Sequence, residues 1–394
     1  MFYEFDKIID RPETNSIKWH QYPRDVLPLW VADMDFAAPA PIQNALKRAV
    51  EHGVFGYEFA TRELRETVAA RMYMLYNWQV SPDAVVATPG VVAGFTAAAH
   101  TLCKAGEGIL VQPPVYPPFL KVHEGGGWIH QEAPLVLETD GSTLRYVMDF
   151  DVFQKAVHSG GAKTSMFLLC NPHNPTGQVY ASDDLRRMAD ICLKNNVVIC
   201  SDEIHSELLL DGTKHLPIAT LDPEIADRTI TLIAPSKTFN IPGLFCGFAI
   251  IPNQDLLDRY KKTVERMAMH VNSLGLTAAQ VAFSGVCDEW LVALRAYLTE
   301  NRDFLVKFII SELDGIRTTS PDATYLAWLD CSGLVARGNT SASPYELFLK
   351  QAKVALNDGK EFGSGGEGFV RLNFGCPRLT LDEALGRVKS ALDL

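Results

Sequence analysis

Lys237 lies in Ala-Pro-Ser-Lys-Thr-Phe-Asn, residues 234–240, directly after the apolar run Ile230 to Ala234 and just before Pro242-Gly243. Burying an ammonium is unfavourable unless it is paired or neutralised, so a lysine at a strand end either reaches outward along its stem or is kept as a reactive amine. Taken alone, reaching outward is the simpler reading. Two upstream segments have the same setting: Asn171-Pro172-His173-Asn174-Pro175-Thr176-Gly177 and Ser201-Asp202-Glu203-Ile204-His205 each follow an apolar run and supply polar groups. Singly, Asp202 and Glu203 suit the first turn of a helix, His205 a satisfied structural histidine, and the prolines with Gly177 a plain turn. Three strand ends converging on one crevice would instead make a site.

The elements that must bring them together follow from periodicity. Apolar strand-like runs (Val85 to Gly90, Gly108 to Gln112, Thr164 to Cys170, Val197 to Cys200, Thr229 to Ala234) alternate with helical patterns such as Val91 to Leu102 and Asp183 to Asn195. That alternation predicts an α/β fold whose large domain has a mainly parallel sheet covered on both faces, with Phe245 to Ile251 as an additional strand returning along it. Before it come an extended arm, Leu27 to Phe36, and helices over Pro41 to Glu51 and Leu64 to Asn77. After it the texture changes to long helices, Leu256 to Met269 and Ala278 to Leu313, the second broken along its length. Strand Thr324 to Leu329, helix Ser343 to Lys350, strand Phe369 to Phe374 and helix Leu381 to Leu392 predict a second, smaller α+β lobe. Gly363 to Gly368 is the one stretch whose composition suggests a hinge or linker. At 394 residues the chain exceeds what one core usually serves, which also favours two domains.

In an open parallel sheet, ligands bind beyond the carboxyl ends of the strands, where all three polar segments fall. Their chemistry is complementary. Asp202 paired with a protonated heteroaromatic nitrogen would keep that ring an electron sink, and Lys237 could condense with an aldehyde on the same ring. Asn174 and His205 would reach the ring's phenolic oxygen. The Gly90, Val91 and Val92 amides at a helix start, with Ser236, would take a phosphate. Together these describe pyridoxal 5′-phosphate.

The order N-P-x-N-P-T-G, D-E-I-H, S-K-T-F-N and R-L-N, spread over nearly the whole chain, resembles fold-type I pyridoxal-phosphate enzymes of the class I/II aminotransferase superfamily. Asn15 to Trp19, Ala32 to Phe36, Phe55-Gly56-Tyr57 and Gly363 to Arg371 resemble, within it, the cystathionine β-lyase and C-S lyase branch that includes MalY and PatB. The resemblance implies a seven-stranded large-domain sheet and a small domain formed by the N-terminal arm and the C-terminal segment, with divisions at 1–45, 46–285 and 286–394. It implies that Lys237 is the Schiff-base lysine and the base for the Cα proton, that Asp202 pairs with the pyridine nitrogen, and that Tyr116 stacks on the ring. Asn174 would bind the phenolic oxygen, and His205 stands where aspartate aminotransferases have a tyrosine. Arg371 would clamp the substrate α-carboxylate, with Asn174 and Ala32 beside the substrate. Tyr57 would reach the phosphate of a neighbouring subunit's cofactor, which implies a homodimer. Ala234 stands where many relatives place a serine, and no arginine closely follows Lys237, so the phosphate would rely on backbone amides, Ser236 and Tyr57.

The implied activity is a C-S β-lyase releasing a thiol, pyruvate and ammonia from L-cystathionine or related cysteine S-conjugates. An aminotransferase would use the same lysine, aspartate and asparagine, and a regulatory protein of this fold acting through protein contacts is a third reading. The net charge of −11 and pI near 5.4 argue against nucleic acid or an anionic membrane, leaving a small amino-acid substrate as the expected partner. Neither a secretory signal nor a membrane-spanning run is spelled out in the sequence. The eight cysteines form no C-x-x-C pair and sit mainly in apolar runs, as in a reduced cytoplasmic protein. His100, His123, His130 and His173 lack spaced partners and read as structural, with no metal site.

Overall fold

A computed structural model describes residues 3–141, 143–336 and 343–393; Met1 and Leu394, which end the expected first and last segments, lie outside the described residues. The strands run β1 (Leu27–Pro28), β2 (Val85–Thr88), β3 (Gly108–Val111), β4 (Ile129–Glu132), β5 (Val136–Asp140), β6 (Thr143–Val147), β7 (Thr164–Cys170) and β8 (Val198–Asp202). They continue with β9 (Thr229–Ile233), β10 (Gly247–Ile250), β11 (Arg317–Thr319), β12 (Leu326–Asp330), β13 (Val354–Ala355), β14 (Asn357–Asp358) and β15 (Phe369–Asn373).

Seven of them form one sheet in the order β2-β10-β9-β8-β7-β3-β4. Strand β10 is antiparallel to both β2 and β9, and the other pairs are parallel. Every residue of β7, β8 and β9 is buried, as expected of central strands covered by helices on both faces. The helix Val91–Leu102 lies against β9 because its contact face is small: a Cβ at Gly94 would sit 3.0 Å from Leu232. On the helix Ser182–Lys194 the buried residues Leu185, Met188, Ala189 and Cys192 recur at intervals of three and four, the apolar stripe of a sheet-covering helix.

A second sheet has the order β14-β15-β12-β11-β6-β5. Its hairpin β5–β6 comes from between β4 and β7 of the first sheet, and β6 pairs in parallel with β11. Sequence periodicity did not assign this hairpin. The arm joins the same region, since β1 pairs in parallel with β13. The expected long helix is two, Ser273–Phe283 and Asp288–Glu312, separated at Gly285 with φ 89°. The helix expected over Ser343 to Lys350 is α-helical only over Pro344–Leu347 and continues as a π-helical turn, Phe348–Ala352.

The stretch Gly363 to Gly368, expected as a hinge or linker, is a packed turn instead. Gly366 N–H donates to Gly363 O (3.0 Å), and a Cβ on Gly366 would meet Gly359 O at 2.0 Å, so two backbones touch where only glycine fits. Just before it, Phe362 O accepts from Val115 N–H at 2.9 Å, which ties this turn to the segment carrying Tyr116.

Candidate active site

Strands β7, β8 and β9 end side by side, and each hands the chain to a polar segment at the same edge of the sheet. Beyond β7, Asn171 N–H donates to Asp202 O (3.0 Å) and Asn171 Oδ1 accepts from Tyr180 N–H (3.2 Å), which folds the loop back over its neighbour. Asp202 is the last residue of β8, and its Oδ1 accepts from Ile204 N–H at 3.1 Å. No helix begins at Asp202–Glu203. After β9 the one-turn helix Pro235–Thr238 carries Lys237.

These ends line a cleft enclosing about 780 Å³ of empty space. Ten of the twelve expected residues border it: Ala32, Gly90, Val91, Val92, Tyr116, Asn174, Asp202, His205, Ser236 and Lys237. Arg371 stands one side chain behind, donating from Nη1 to Asn174 Oδ1 (2.9 Å). Tyr57 is fully exposed and lies outside this cleft. Pro89, Cys170, Ile204, Pro242 and Phe245 also border it. Only Ile204, enclosed between Asp202 and His205, was signalled by its position in the sequence.

Burial dominates the electrostatics. It lowers the Lys237 amine to about 8, further depressed by the Arg371 charge and opposed by Asp33 and Asp202. It raises the Asp202 carboxyl to about 7, against the Ile204 amide and Lys237, which pull it down. His205 is pushed down to about 3, also chiefly by burial, so its imidazole is neutral. Arg371 is lowered to about 10 but stays charged. Its partners are all uncharged: Asn174, Trp30 O (3.0 Å) and Asn357 Oδ1 (2.6 Å), while Nε has none. Among the described residues Arg371 forms no salt bridge, which leaves a buried cation suited to a carboxylate ligand.

The arm segment from Trp30 to Phe36 has no regular structure, and side chains satisfy its carbonyls. Lys237 Nζ (2.6 Å) and Tyr325 Oη (2.8 Å) both donate to Ala32 O. Asn373 Nδ2 donates to Val31 O and Asp33 O, and Asn240 Nδ2 to Met34 O and Phe36 O. The fully buried Lys18 pairs with Asp35 (2.7 Å) and also donates to Asp33 O. Arg11 pairs with Asp33 and Asp35 at 2.8 and 2.6 Å. Tyr325 went unnoticed in the sequence because it sits inside an apolar strand pattern, and Asn373, the last residue of the R-L-N motif, was given no role there.

The cleft fits pyridoxal 5′-phosphate on its own features. Asp202 is a buried carboxylate facing the space with one amide donor and no bonded cation, the setting a protonated ring nitrogen would complete. Gly90, at φ 96°, precedes a twelve-residue helix with no side-chain cap and no acidic residue in its first turn, and Ser236 borders the same space. Those free helix-start amides favour a phosphate. His205 Nδ1 is buried and unpartnered.

The sequence of residues 24–388 matches the family described as aminotransferase class I and II. Among curated relatives, cystathionine beta-lyase PatB of Bacillus subtilis is 39% identical over 98% of this chain and 99% of its own length. Protein MalY of Escherichia coli is 30% identical over 99% of both. Among solved structures, the PLP-bound C-S lyase from Staphylococcus hominis superposes with a TM-score of 0.92 at 31% identity, covering 100% of this chain and 98% of that one.

Proposed function

The chain belongs to the aminotransferase class I and II family, and from that premise we propose a pyridoxal 5′-phosphate-dependent C-S β-lyase that cleaves L-cystathionine or related cysteine S-conjugates to a thiol, pyruvate and ammonia. The observation that carries it is a buried amine at the cleft, lowered to about 8, with a buried guanidinium that lacks an anion standing directly behind the cleft residue Asn174. Elimination rather than amino-group transfer follows from the relatives named for it. Bound pyridoxal phosphate supplies an electron sink conjugated to the substrate's Cα.

The chain's own residues do the rest. Arg371 receives the α-carboxylate in its planar fork, and Asn174 holds the guanidinium in place. Lys237, neutral for a large fraction of the time near pH 8, accepts the Cα proton. Asp202 would hold the proton on the ring nitrogen. Tyr116 would stack over the ring, Asn174 and the neutral His205 would meet the phenolic oxygen, and Gly90, Val91, Val92 and Ser236 would receive the phosphate. As the Cα proton passes to Lys237, its bonding pair would form a Cα–Cβ double bond while the Cβ–S bond breaks and its pair leaves with sulfur; water then releases the remaining three-carbon unit as pyruvate and ammonia.

Two further parts belong to the same proposal. Residues 46–285 form the cofactor-binding domain, lending the hairpin β5–β6 to the sheet of a smaller domain built from 1–45 and 286–394. The protein works as a homodimer in which Tyr57 serves the partner's phosphate, supported by the exposure of Val54, Phe55, Tyr57 and Phe59 together on one stretch. Its eight free thiols suit a reducing cytoplasm.

The test is incubation of the loaded enzyme with L-cystathionine, with and without a 2-oxo acid. Free thiol and pyruvate are expected in both. A new amino acid formed from the oxo acid, without thiol, would overturn elimination in favour of transfer. Lys237→Ala should lower turnover by at least about 10³-fold.

A further inference from the structure

Next to Asp202 in the chain lies a buried hydrogen-bonded pair, Glu203 and His215, that the proposed mechanism leaves unused. Glu203 and His215 have side chains 1% and 0% exposed, and His215 Nε2 lies 2.8 Å from Glu203 Oε2. The other carboxylate oxygen, Oε1, accepts from Ser201 Oγ at 2.9 Å. The backbone is held as well: Glu203 N–H donates to Leu232 O at 2.8 Å, fixing the end of β8 against β9.

The charge on this pair can be read from its hydrogen bonds. His215 Nδ1 is buried without a partner, and the nearest ring, Tyr76, meets the imidazole edge-on with centroids 5.5 Å apart. A doubly protonated imidazole would leave a charged N–H donor unpaired in the interior; the neutral ring protonated at Nε2 leaves only a lone pair. The hydrogen bonds therefore favour His215 Nε2–H as the donor and the Glu203 carboxylate as the acceptor. Nearby cations do not cancel that charge by contact. Arg71 is bonded to Glu207 and Asp288, and Arg295 donates to Glu207 O. The Glu203 charge is felt by Asp202 and by Tyr76, which also faces Glu207.

We propose that Glu203, kept ionised by Ser201 and neutral His215, is a positioning residue that acts through Asp202, placing a second buried anion next to it so that the proton opposite Asp202 is held more tightly. This rests on Asp202 facing the ring nitrogen of the cofactor. In a low-dielectric interior a like charge on the neighbouring residue raises the proton affinity of everything in front of it, and here it does so without touching the ring. The Ser201 and His215 donors are what let a carboxylate remain charged at that depth.

The experiment loads the full-length protein with cofactor labelled with ¹⁵N at the ring nitrogen and follows its chemical shift with pH. Glu203→Gln, which keeps shape but removes charge, should move the ring nitrogen's titration midpoint down by about one unit. His215→Gln, which keeps a neutral donor, should leave the midpoint where it is. Should Glu203→Gln fail to fold, His215→Lys sets a cation against an untouched Glu203 and should lower the midpoint likewise. Asp202→Asn separates the two ideas: a nitrogen indifferent to it refutes the placement of Asp202. A nitrogen that responds to Asp202→Asn but not to Glu203→Gln or His215→Lys refutes the role of Glu203. A shift of equal size in His215→Gln would assign the effect to packing and overturn the proposal.

Discussion

Burial pushes Asp202 and Lys237 each toward its neutral form, and the two respond to pH in different windows. The Asp202 carboxyl is raised to about 7 from an ordinary value of 3.8, so between those values the folded, cofactor-free chain binds more protons than the unfolded one. Its stability therefore falls as pH rises through that window, and the full penalty remains above 7. Asp202→Asn should stabilise the cofactor-free protein at pH 8 by roughly 1–3 kcal/mol while removing most of the lyase activity. Thermal unfolding of the stripped protein alongside a thiol-release assay checks both; a stripped variant less stable than wild type would contradict the account. Lys237 is lowered to about 8 from 10.5, so here the unfolded chain binds more protons in the window between them. Its contribution to stability rises with pH from 8 to 10.5, and below 8 the cost of the buried cation is constant. Cofactor uptake by the stripped protein needs the neutral amine, and its rate should climb as pH passes through about 8, as stopped-flow absorbance would record. A pH-independent uptake rate between 6 and 9 would count against the lowered amine.

Among the elements, the arm is the one whose order depends on the site. Its irregular backbone from Trp30 to Phe36 offers carbonyls that are met by side chains from four distant parts of the chain, including Lys237 and Arg371. Tyr325→Phe leaves Lys237 as the sole side-chain donor to Ala32 O and should cost about 1 kcal/mol of stability; Asn373→Ala strips Val31 O of its side-chain donor, leaves Asp33 O to Lys18 alone, and should cost roughly 1–2 kcal/mol. Both are measurable by denaturant unfolding, and an unchanged midpoint for Asn373→Ala would show the arm to be held some other way. Much of this frame was legible in the sequence. The runs Thr164 to Cys170 and Val91 to Leu102 coincide with a strand and a helix because long apolar patterns with clear stops leave little choice of period. The hairpin β5–β6 escaped because its alternation is short and mixed with charge, in Thr-Leu-Arg-Tyr-Val, and its parallel partner β11 stands some 170 residues later, at Arg317. Glycines 363 to 368 misled for a different reason. Composition alone cannot tell a glycine used for freedom from one used for closeness, and Gly366 is the second kind. At the site, Lys237, Asp202 and Asn174 were readable because each stands at or just beyond the end of a buried strand. Tyr325 was not, since its role is to hold a main-chain carbonyl that no pattern announces.

At the scale of the whole molecule, Tyr57 is the one expected site residue that this chain's own cleft does not use. It projects with Phe55 and Phe59 from the stretch between the helices Ala40–His52 and Arg62–Tyr76. If it completes the site of a second copy, two inactive variants should repair each other. Tyr57→Ala and Lys237→Ala, each of low activity alone, should regain lyase activity when unfolded together and refolded as mixed dimers, because one site of each mixed pair is then wild type at both positions. Mixtures no more active than their components would place Tyr57 outside the phosphate site.

The hairpin β5–β6 also has a history during synthesis. It leaves the ribosome with its tyrosine and leucine face ready, yet the strand it must pair with, beginning at Arg317, emerges about 170 residues after Val147. At translation speeds of about 5–20 residues per second, Leu144 and Tyr146, both buried in the finished protein, wait on the order of ten seconds or more with an open edge. The nascent chain thus carries an open, partly apolar edge at this hairpin until β11 arrives, and this is a surface a ribosome-bound chaperone would have reason to cover.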